Sequence, residues 1–354
     1  MSKKLLYFII ILFAALTPSF AQEETPDEED KKSKGEEYYE TADAFFAQTQ
    51  YDSTIKYAKK AVIKEPKLAQ AHLLLAKSYL KKGMENKALT SAEHSIDAEK
   101  NNPDAYCILG HLLVMKGEFD DAIKEFEKAL KYNKECAEAY YGIGNAQAAK
   151  KGRYNETDAI NSYIKALEID PNMWQASMAL GNMYKQWKEF DKASAFYLEA
   201  TQNNPTDIQG FILLGDCYRR QKQYDAARNA FNNIYNLDPD NAEATLNIGL
   251  CYKDERLLDE ALEQFEQALK QKPDYAEAYF NIGYIYHRRA DYNKAIEYYE
   301  LATEHKKDYS EAYYNLGNVY NMTGETPKKI NAYRKAARLG NPLAKDWLKK
   351  NAGK

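Results

Sequence analysis

AEAYFNIGYIYHRRADYNKAIEYYELATEHKKDY, residues 276–309, decides the fold. Tyr279, Ile282, Gly283 and Tyr286 fall at i, i+3, i+4 and i+7, the apolar stripe of one helix. Ala290-Asp291 interrupts the pattern, and Tyr292, Ala295, Ile296, Tyr299 and Ala302 then trace a second stripe. The segment reads as helix, turn, helix in 34 residues, and nearly the same pattern recurs along most of the chain.

Copies begin at Gly35, Ala69, Pro103, Ala137, Trp174, Ile208, Ala242, Ala276 and Ser310, each 34 residues long except the fourth, which has 37. Numbered from the first residue of each copy, slot 8 is small: Ala42, Ala76, Gly110, Gly144, Gly181, Gly215, Gly249, Gly283 and Gly317. A small residue there lets the second helix of the pair approach closely. Slot 11 is mostly aromatic (Tyr184, Tyr218, Tyr252, Tyr286, Tyr320), as is slot 24 (Phe126, Tyr163, Tyr197, Phe231, Phe265, Tyr299, Tyr333), and these rings fill the space between helices. The 30 tyrosines of the chain are thus largely repeat positions. Alanine recurs at slots 20 and 27, and proline often stands at slot 32 (Pro66, Pro171, Pro205, Pro239, Pro273), where it ends the second helix. Asp or Asn at slot 18 (Asp52, Asp120, Asp191, Asp225, Asp259, Asn293) is expected to cap the second helix, with Thr326-Pro327 doing so in the ninth copy.

The fourth copy departs from the pattern. Gln147 replaces the slot-11 aromatic, and three extra residues within 150–158 predict a longer first helix or a bulged turn. The first two copies carry Thr54, Ala58 and Ala92 at positions that differ in size from the rest. After the ninth copy, residues 342–351 read as one more helix, with Leu343, Trp347 and Leu348 on its apolar side.

The period, the small slot 8, the slot-11 tyrosines, the two alanine slots and the slot-32 proline resemble the tetratricopeptide repeat family, from Gly35 to about Leu343. The resemblance implies an all-α, right-handed superhelical solenoid of nine helix-turn-helix repeats over residues 35–343, closed by a C-terminal capping helix at 342–351. It also implies that slots 2, 5, 6, 9, 12 and 13 of each first helix face a concave groove.

Residues 1–21 carry Lys3 and Lys4, an apolar run from Leu5 to Leu16, and Ser19-Phe20-Ala21, the pattern of a secretory signal peptide. Cleavage after Ala21 would leave no integral membrane span; an uncleaved anchor is the alternative. The chain is thus expected to be exported, to a periplasm or beyond. Residues 22–34, QEETPDEEDKKSK, have nothing apolar to bury and read as a disordered linker. Net charge is −4, or −6 without Lys3 and Lys4, which argues against a general nucleic-acid binder. Of the four cysteines, Cys217 and Cys251 occupy the same slot of consecutive copies, too far apart to bridge, so small buried thiols are favoured over a disulfide framework.

No catalytic motif is present, and neither a cofactor nor a metal is expected. Cys107 and His111 share a helix face, but two ligands do not make a metal site. Function is therefore sought in the groove. Slot 12 is apolar in the first four copies (Phe46, Leu80, Val114, Ala148), then becomes Lys185, Arg219, Lys253 and His287; slot 13 adds Arg220 and Arg288. Slot 6 places Asn247, Asn281 and Asn315 in succession, slot 9 contributes Asn145, Asn182, Tyr284 and Asn318, and slot 5 supplies Tyr141, Phe280 and Tyr314.

Two readings of the cations stand: a solvated face, or a grip on an acidic segment. In the second, Arg219, Arg220 and Arg288 pair with carboxylates and the asparagines hold the peptide backbone. The expected protein is a non-enzymatic scaffold for protein or peptide partners in envelope assembly or secretion. A receptor for carbohydrate or a small anionic ligand is the alternative.

Overall fold

The computed structural model describes residues 32–150 and 153–351. The expected signal peptide and residues 22–31 of the expected linker lie outside the described residues. Among the described residues there are nineteen helices and no strand, and the chain divides into two compact units, Met1–Lys100 and Asn101–Lys354.

The first unit holds two helical hairpins: α1 (Lys34–Ala47) with α2 (Tyr51–Lys64), and α3 (Ala69–Lys81) with α4 (Glu85–Ala98). Helix α1 starts inside the expected linker. Ser33 Oγ accepts from the Glu36 N–H, and the Glu36 carboxylate accepts from the Ser33 N–H, a reciprocal cap that recruits Lys34 into the helix. The slot-8 and slot-24 positions of both hairpins, Ala42, Ala58, Ala76 and Ala92, have no exposed surface.

The second unit continues the same alternation. It runs through α5 (Pro103–Lys116), α6 (Phe119–Tyr132), α7 (Ala137–Ala149), α8 (Arg153–Ile169), α9 (Trp174–Gln186), α10 (Phe190–Asn203), α11 (Ile208–Arg220) and α12 (Tyr224–Leu237). It ends with α13 (Ala242–Glu255), α14 (Leu258–Gln271), α15 (Ala276–Arg288), α16 (Tyr292–His305), α17 (Ser310–Met322), α18 (Thr326–Arg338) and α19 (Pro342–Lys350). Within each unit, each first helix packs on its own second helix, and each second helix packs on the next first helix, the hairpin stacking of a solenoid.

The reason for glycine at slot 8 is the slot-24 ring of the same hairpin. A Cβ on Gly144 would stand 2.6 Å from Tyr163 Cε1, on Gly181 2.5 Å from Tyr197 Cε1, and on Gly283 2.8 Å from Tyr299 Cδ1. Gly215 and Gly249 stand against Phe231 and Phe265 in the same way. These rings are almost wholly buried, so they have no room to retreat.

Four sequence expectations are corrected. The three extra residues lengthen the second helix of the fourth hairpin, not the first: α8 has 17 residues, whereas α7 has 13 and α6 has 14. Second, the slot-18 residues are not N-caps in general. Asp52, Asp120, Asp191, Asp225 and Asp259 each sit one residue inside the helix start, in the first turn, where they favour the helix dipole. Three of them also reach a cation at slot 14 of the following hairpin: Asp52 to Lys82, Asp120 to Lys150 and Asp259 to Arg289. The true side-chain cap of this kind is Asp291, whose carboxylate accepts from the Lys294 N–H at 3.2 Å. Third, Pro327 is the second residue of α18, after Thr326. Fourth, Leu343 is exposed; Ala344 is the buried residue of α19, and Trp347 lies 4.2 Å from Tyr333, ring centroid to ring centroid.

One regularity has no sequence signature. The turn residue at slot 15 adopts the left-handed conformation in eight hairpins, at Thr49, Gly83, Gly117, Lys188, Lys222, Arg256, Ala290 and Gly324. Five of these are not glycine, a conformation that costs an L-residue about 1–2 kcal/mol. The slot-32 prolines act as expected. Glu65, Asn204, Asp238 and Lys272, each immediately before one, leave the helical conformation and end their helices, Asp238 and Lys272 as extended backbone.

Candidate functional site

The asparagines of slot 9 are placed by the tyrosines beneath them. Burying the Tyr163, Tyr197 and Tyr333 rings brings their hydroxyls up to the first helix, where each must find an acceptor. Tyr163 donates to Asn145 Oδ1 at 2.9 Å, Tyr197 to Asn182 Oδ1 at 2.7 Å and Tyr333 to Asn318 Oδ1 at 2.8 Å. One face of each amide is therefore committed inside the protein. Slot 5 joins the same arrangement: Tyr141 tilts against Tyr163 at 5.9 Å and Tyr314 against Tyr333 at 5.6 Å.

Slot 6 behaves similarly. Asn281 Nδ2 donates to the Glu277 carbonyl one turn back at 2.7 Å, and Asn281 Oδ1 accepts from Lys253 Nζ at 2.7 Å, so this buried amide is occupied on both sides. Asn315 Nδ2 likewise donates to the Glu311 carbonyl at 2.9 Å, while Asn247 is half-buried with no such bond. The three do not form a free ladder for a peptide backbone.

The expected basic stretch is largely neutralised. Arg219 contacts Asp254 at 2.6 Å and Asp216 at 3.3 Å; Arg220 contacts Asp216 at 3.0 Å, and Lys185 approaches the same carboxylate at 3.7 Å. Arg220 also lies over the Phe190 ring. Asp216 stands at slot 9 and Asp254 at slot 13, so their neutralising role was legible from the same slot table that singled out the arginines. Arg288 remains exposed. Lys253 lies over the Tyr284 ring at 5.6 Å, and burial pulls its pKa below the usual lysine value. Burial, followed by the Arg288 charge, also holds His287 below the ordinary histidine value, so it is neutral at pH 7 and not part of a basic surface.

The eighth hairpin breaks the tyrosine–asparagine rule. Slot 9 is Tyr284 there, and the hydroxyl of the fully buried Tyr299 has no hydrogen-bond partner among the described residues. Phe280 packs on the Tyr299 ring at 5.6 Å and on Tyr309 at 5.0 Å.

A cavity of about 440 Å³ opens between α7, α8 and α9. Its wall brings together Tyr141, Asn145 and Asn182 from the expected set with Trp174, Met178, Met183 and Glu156. Glu156 belongs to the lengthened start of α8 and accepts from Trp187 Nε1 at 3.0 Å. The inserted turn thus supplies one side of the cavity. Among the described residues no lysine or arginine lines it. Lys185 is on α9 but does not line the cavity, and Arg219 through Asn318 belong to later hairpins. Met178 occupies slot 5 and Trp174 slot 1 of the fifth copy, and they become a wall only where α7, α8 and α9 pack together.

Among the described residues no group of three or more metal-ligating side chains converges. His111 Nε2 is engaged with Glu138 Oε1 at 2.7 Å. No described helix is long and apolar enough to cross a membrane.

Comparison with known proteins follows the hairpins. The TPR repeat model matches residues 110–151 and 258–289. Tetratricopeptide repeat models match 137–173, 175–207, 209–241 and 276–309. Anaphase-promoting complex subunit 3 of Schizosaccharomyces pombe is 26% identical over 132 residues, covering 37% of this chain and 19% of that protein. The chain therefore matches about a fifth of that relative's length. Among solved structures, YrrB, described as a TPR protein with an unusual peptide-binding site, is 25% identical with a TM-score of 0.45, over 53% of this chain and 95% of that one. MamA is 25% identical with a TM-score of 0.43, over 48% and 97%. On its repeat period, its hairpin packing and the family models that match more than half of its length, the chain is a member of the tetratricopeptide repeat family.

Proposed function

We propose that the chain is an exported, non-enzymatic scaffold that binds an extended segment of a protein partner along the first-helix face of its second unit. The observation that carries the reading is the cavity between α7, α8 and α9, within the size range of ligand pockets and walled by Trp174, Tyr141, Met178 and Met183 beside two asparagines. An apolar or aromatic side chain of the partner fits such a wall, and the Nδ2 groups of Asn145 and Asn182 then address the adjacent backbone. An acidic flank would meet Arg288, because Arg219, Arg220 and Lys185 already have carboxylates and Lys253 is held by Asn281. Export rests on the leader-like residues 1–21.

The test uses peptides selected from a random library on the full chain. Their Kd should weaken at least tenfold for Trp174→Ala and for Met178→Lys. Unchanged binding to both variants would place the peptide site elsewhere. A second reading draws on the same wall: Tyr141 and Trp174 rings with Asn145, Asn182 and Glu156 also suit a neutral sugar. Thermal stabilisation by neutral oligosaccharides, abolished by Trp174→Ala and with no peptide selected, would favour it.

A further inference from the structure

Two of the four cysteines are neighbours, and the repeat pattern gives no hint of it. Cys107 lies on α5, and Cys136 is the residue immediately before α7. Their sulfurs stand 3.7 Å apart, one thiol hydrogen-bonded to the other. Cys217 and Cys251 have no such partner; burial first, and then nearby carboxylates, raise their thiols, to about 11 and about 12. These two are the inert core thiols expected from the sequence.

We infer that Cys107 and Cys136 form a redox pair that closes to a disulfide by exchange with an oxidised low-molecular-weight disulfide, tying α5 to the start of α7. Three features of the geometry support this. A further approach of about 1.7 Å brings the sulfurs from contact to bonding distance. The same two helices are joined one turn further along by His111 and Glu138 at 2.7 Å, which holds the cysteines in register. Cys136 follows three exposed turn residues, Asn133, Lys134 and Glu135, so an oxidant has a route to it, while Cys107 lies deeper.

The chemistry divides between them accordingly. The hydrogen bond from Cys107 and the Ala139 N–H at the start of α7 favour the thiolate at Cys136; the same bond and burial keep Cys107 protonated. The Cys136 thiolate attacks one sulfur of the oxidant, forms a mixed disulfide and expels one thiolate. Cys107 then gives up its proton and attacks Cys136 Sγ, expelling the second thiolate. Two protein thiols lose two electrons and two protons, and the oxidant is reduced to two thiols.

The test treats the folded, full chain with glutathione disulfide, then unfolds it and alkylates the remaining thiols. The expected product is lighter by two hydrogens, carries label on Cys217 and Cys251 only, yields a cross-linked Cys107–Cys136 peptide, and returns to four labelled cysteines after reduction. In the Cys136→Ser chain, Cys107 should remain a free thiol under the same treatment. Three results would overturn the inference: four free thiols throughout, a lasting glutathione adduct on Cys136 with Cys107 unreacted, or a bridge between any other pair.

Discussion

In the first unit, slots 8 and 24 of each hairpin hold two alanines, Ala42 with Ala58 and Ala76 with Ala92. In the second unit they hold a glycine and a ring, from Gly110 with Phe126 to Gly317 with Tyr333. Volume removed from one helix is restored from the other, so both arrangements close the hairpin. They differ in consequence. An alanine pair ends at the core, whereas a tyrosine carries a hydroxyl through to the first helix and demands an acceptor at slot 9. In the second unit, then, packing and the chemistry of the candidate binding face are coupled. Asn145, Asn182 and Asn318 are where they are because Tyr163, Tyr197 and Tyr333 are tyrosines.

The contrast breaks most sharply at glycine. Gly181→Ala forces a Cβ to 2.5 Å from the Tyr197 ring, which is fully buried, and should cost about 2–3 kcal/mol. Ala76→Gly, the reverse exchange in the first unit, should cost only about 1 kcal/mol, from helix propensity. Denaturant unfolding of each variant gives the two values. Combining Gly181→Ala with Tyr197→Ala imports the arrangement of the first unit, so the double variant should lose less than the sum of the singles. Strict additivity would show that the two slots do not trade volume.

The next effect separates hairpins within the second unit. Tyr197→Phe removes a hydrogen bond to Asn182 and should destabilise by about 1 kcal/mol. Tyr299→Phe removes a buried hydroxyl with no partner and should be neutral or stabilising in the same assay. Equal losses would mean that Tyr299 is satisfied in solution.

The turns offer a smaller test. Gly83 in the first unit and Lys222 in the second share a left-handed backbone, with φ of 67° and 62°. Gly83→Ala should lower stability by about 1 kcal/mol, and Lys222→Gly should raise it by roughly 0.5 kcal/mol, the relief of strain offset by the greater freedom of unfolded glycine. The unfolding midpoints should move in opposite directions.

Smallest is a pH effect common to both units. Burial lowers the pKa of His72 in the first unit and of His287 in the second. The unfolded chain takes these protons first, so stability present above the ordinary histidine value, about 6.5, is lost as pH falls through the region below it. The midpoint at pH 5.5 should lie below that at pH 7.5, and His287→Gln should flatten the dependence. An unaltered slope in that variant would remove His287 from the account.

The sequence by itself determined the hairpin, its period and its core, because those depend on the local spacing of apolar and small residues that recurs in every copy. The glycine of slot 8, the alanines of slots 20 and 27 and the helix-ending prolines all act as their spacing implied. Tertiary structure decided what several polar residues do, since partners such as Asp254 for Arg219 and Asn281 for Lys253 lie on the next hairpin. It paired Arg219 with Asp254 across hairpins and gave Lys253 to Asn281. It also placed the inserted turn on α8, where Glu156 closes a cavity with Trp174 and Met178. Cys107 and Cys136 hold unrelated slots and meet only because α5 packs beside α7. A periodic pattern repeats its apolar positions faithfully, but which charge meets which carboxylate, and which thiol meets which, is set by the stacking of one hairpin on the next.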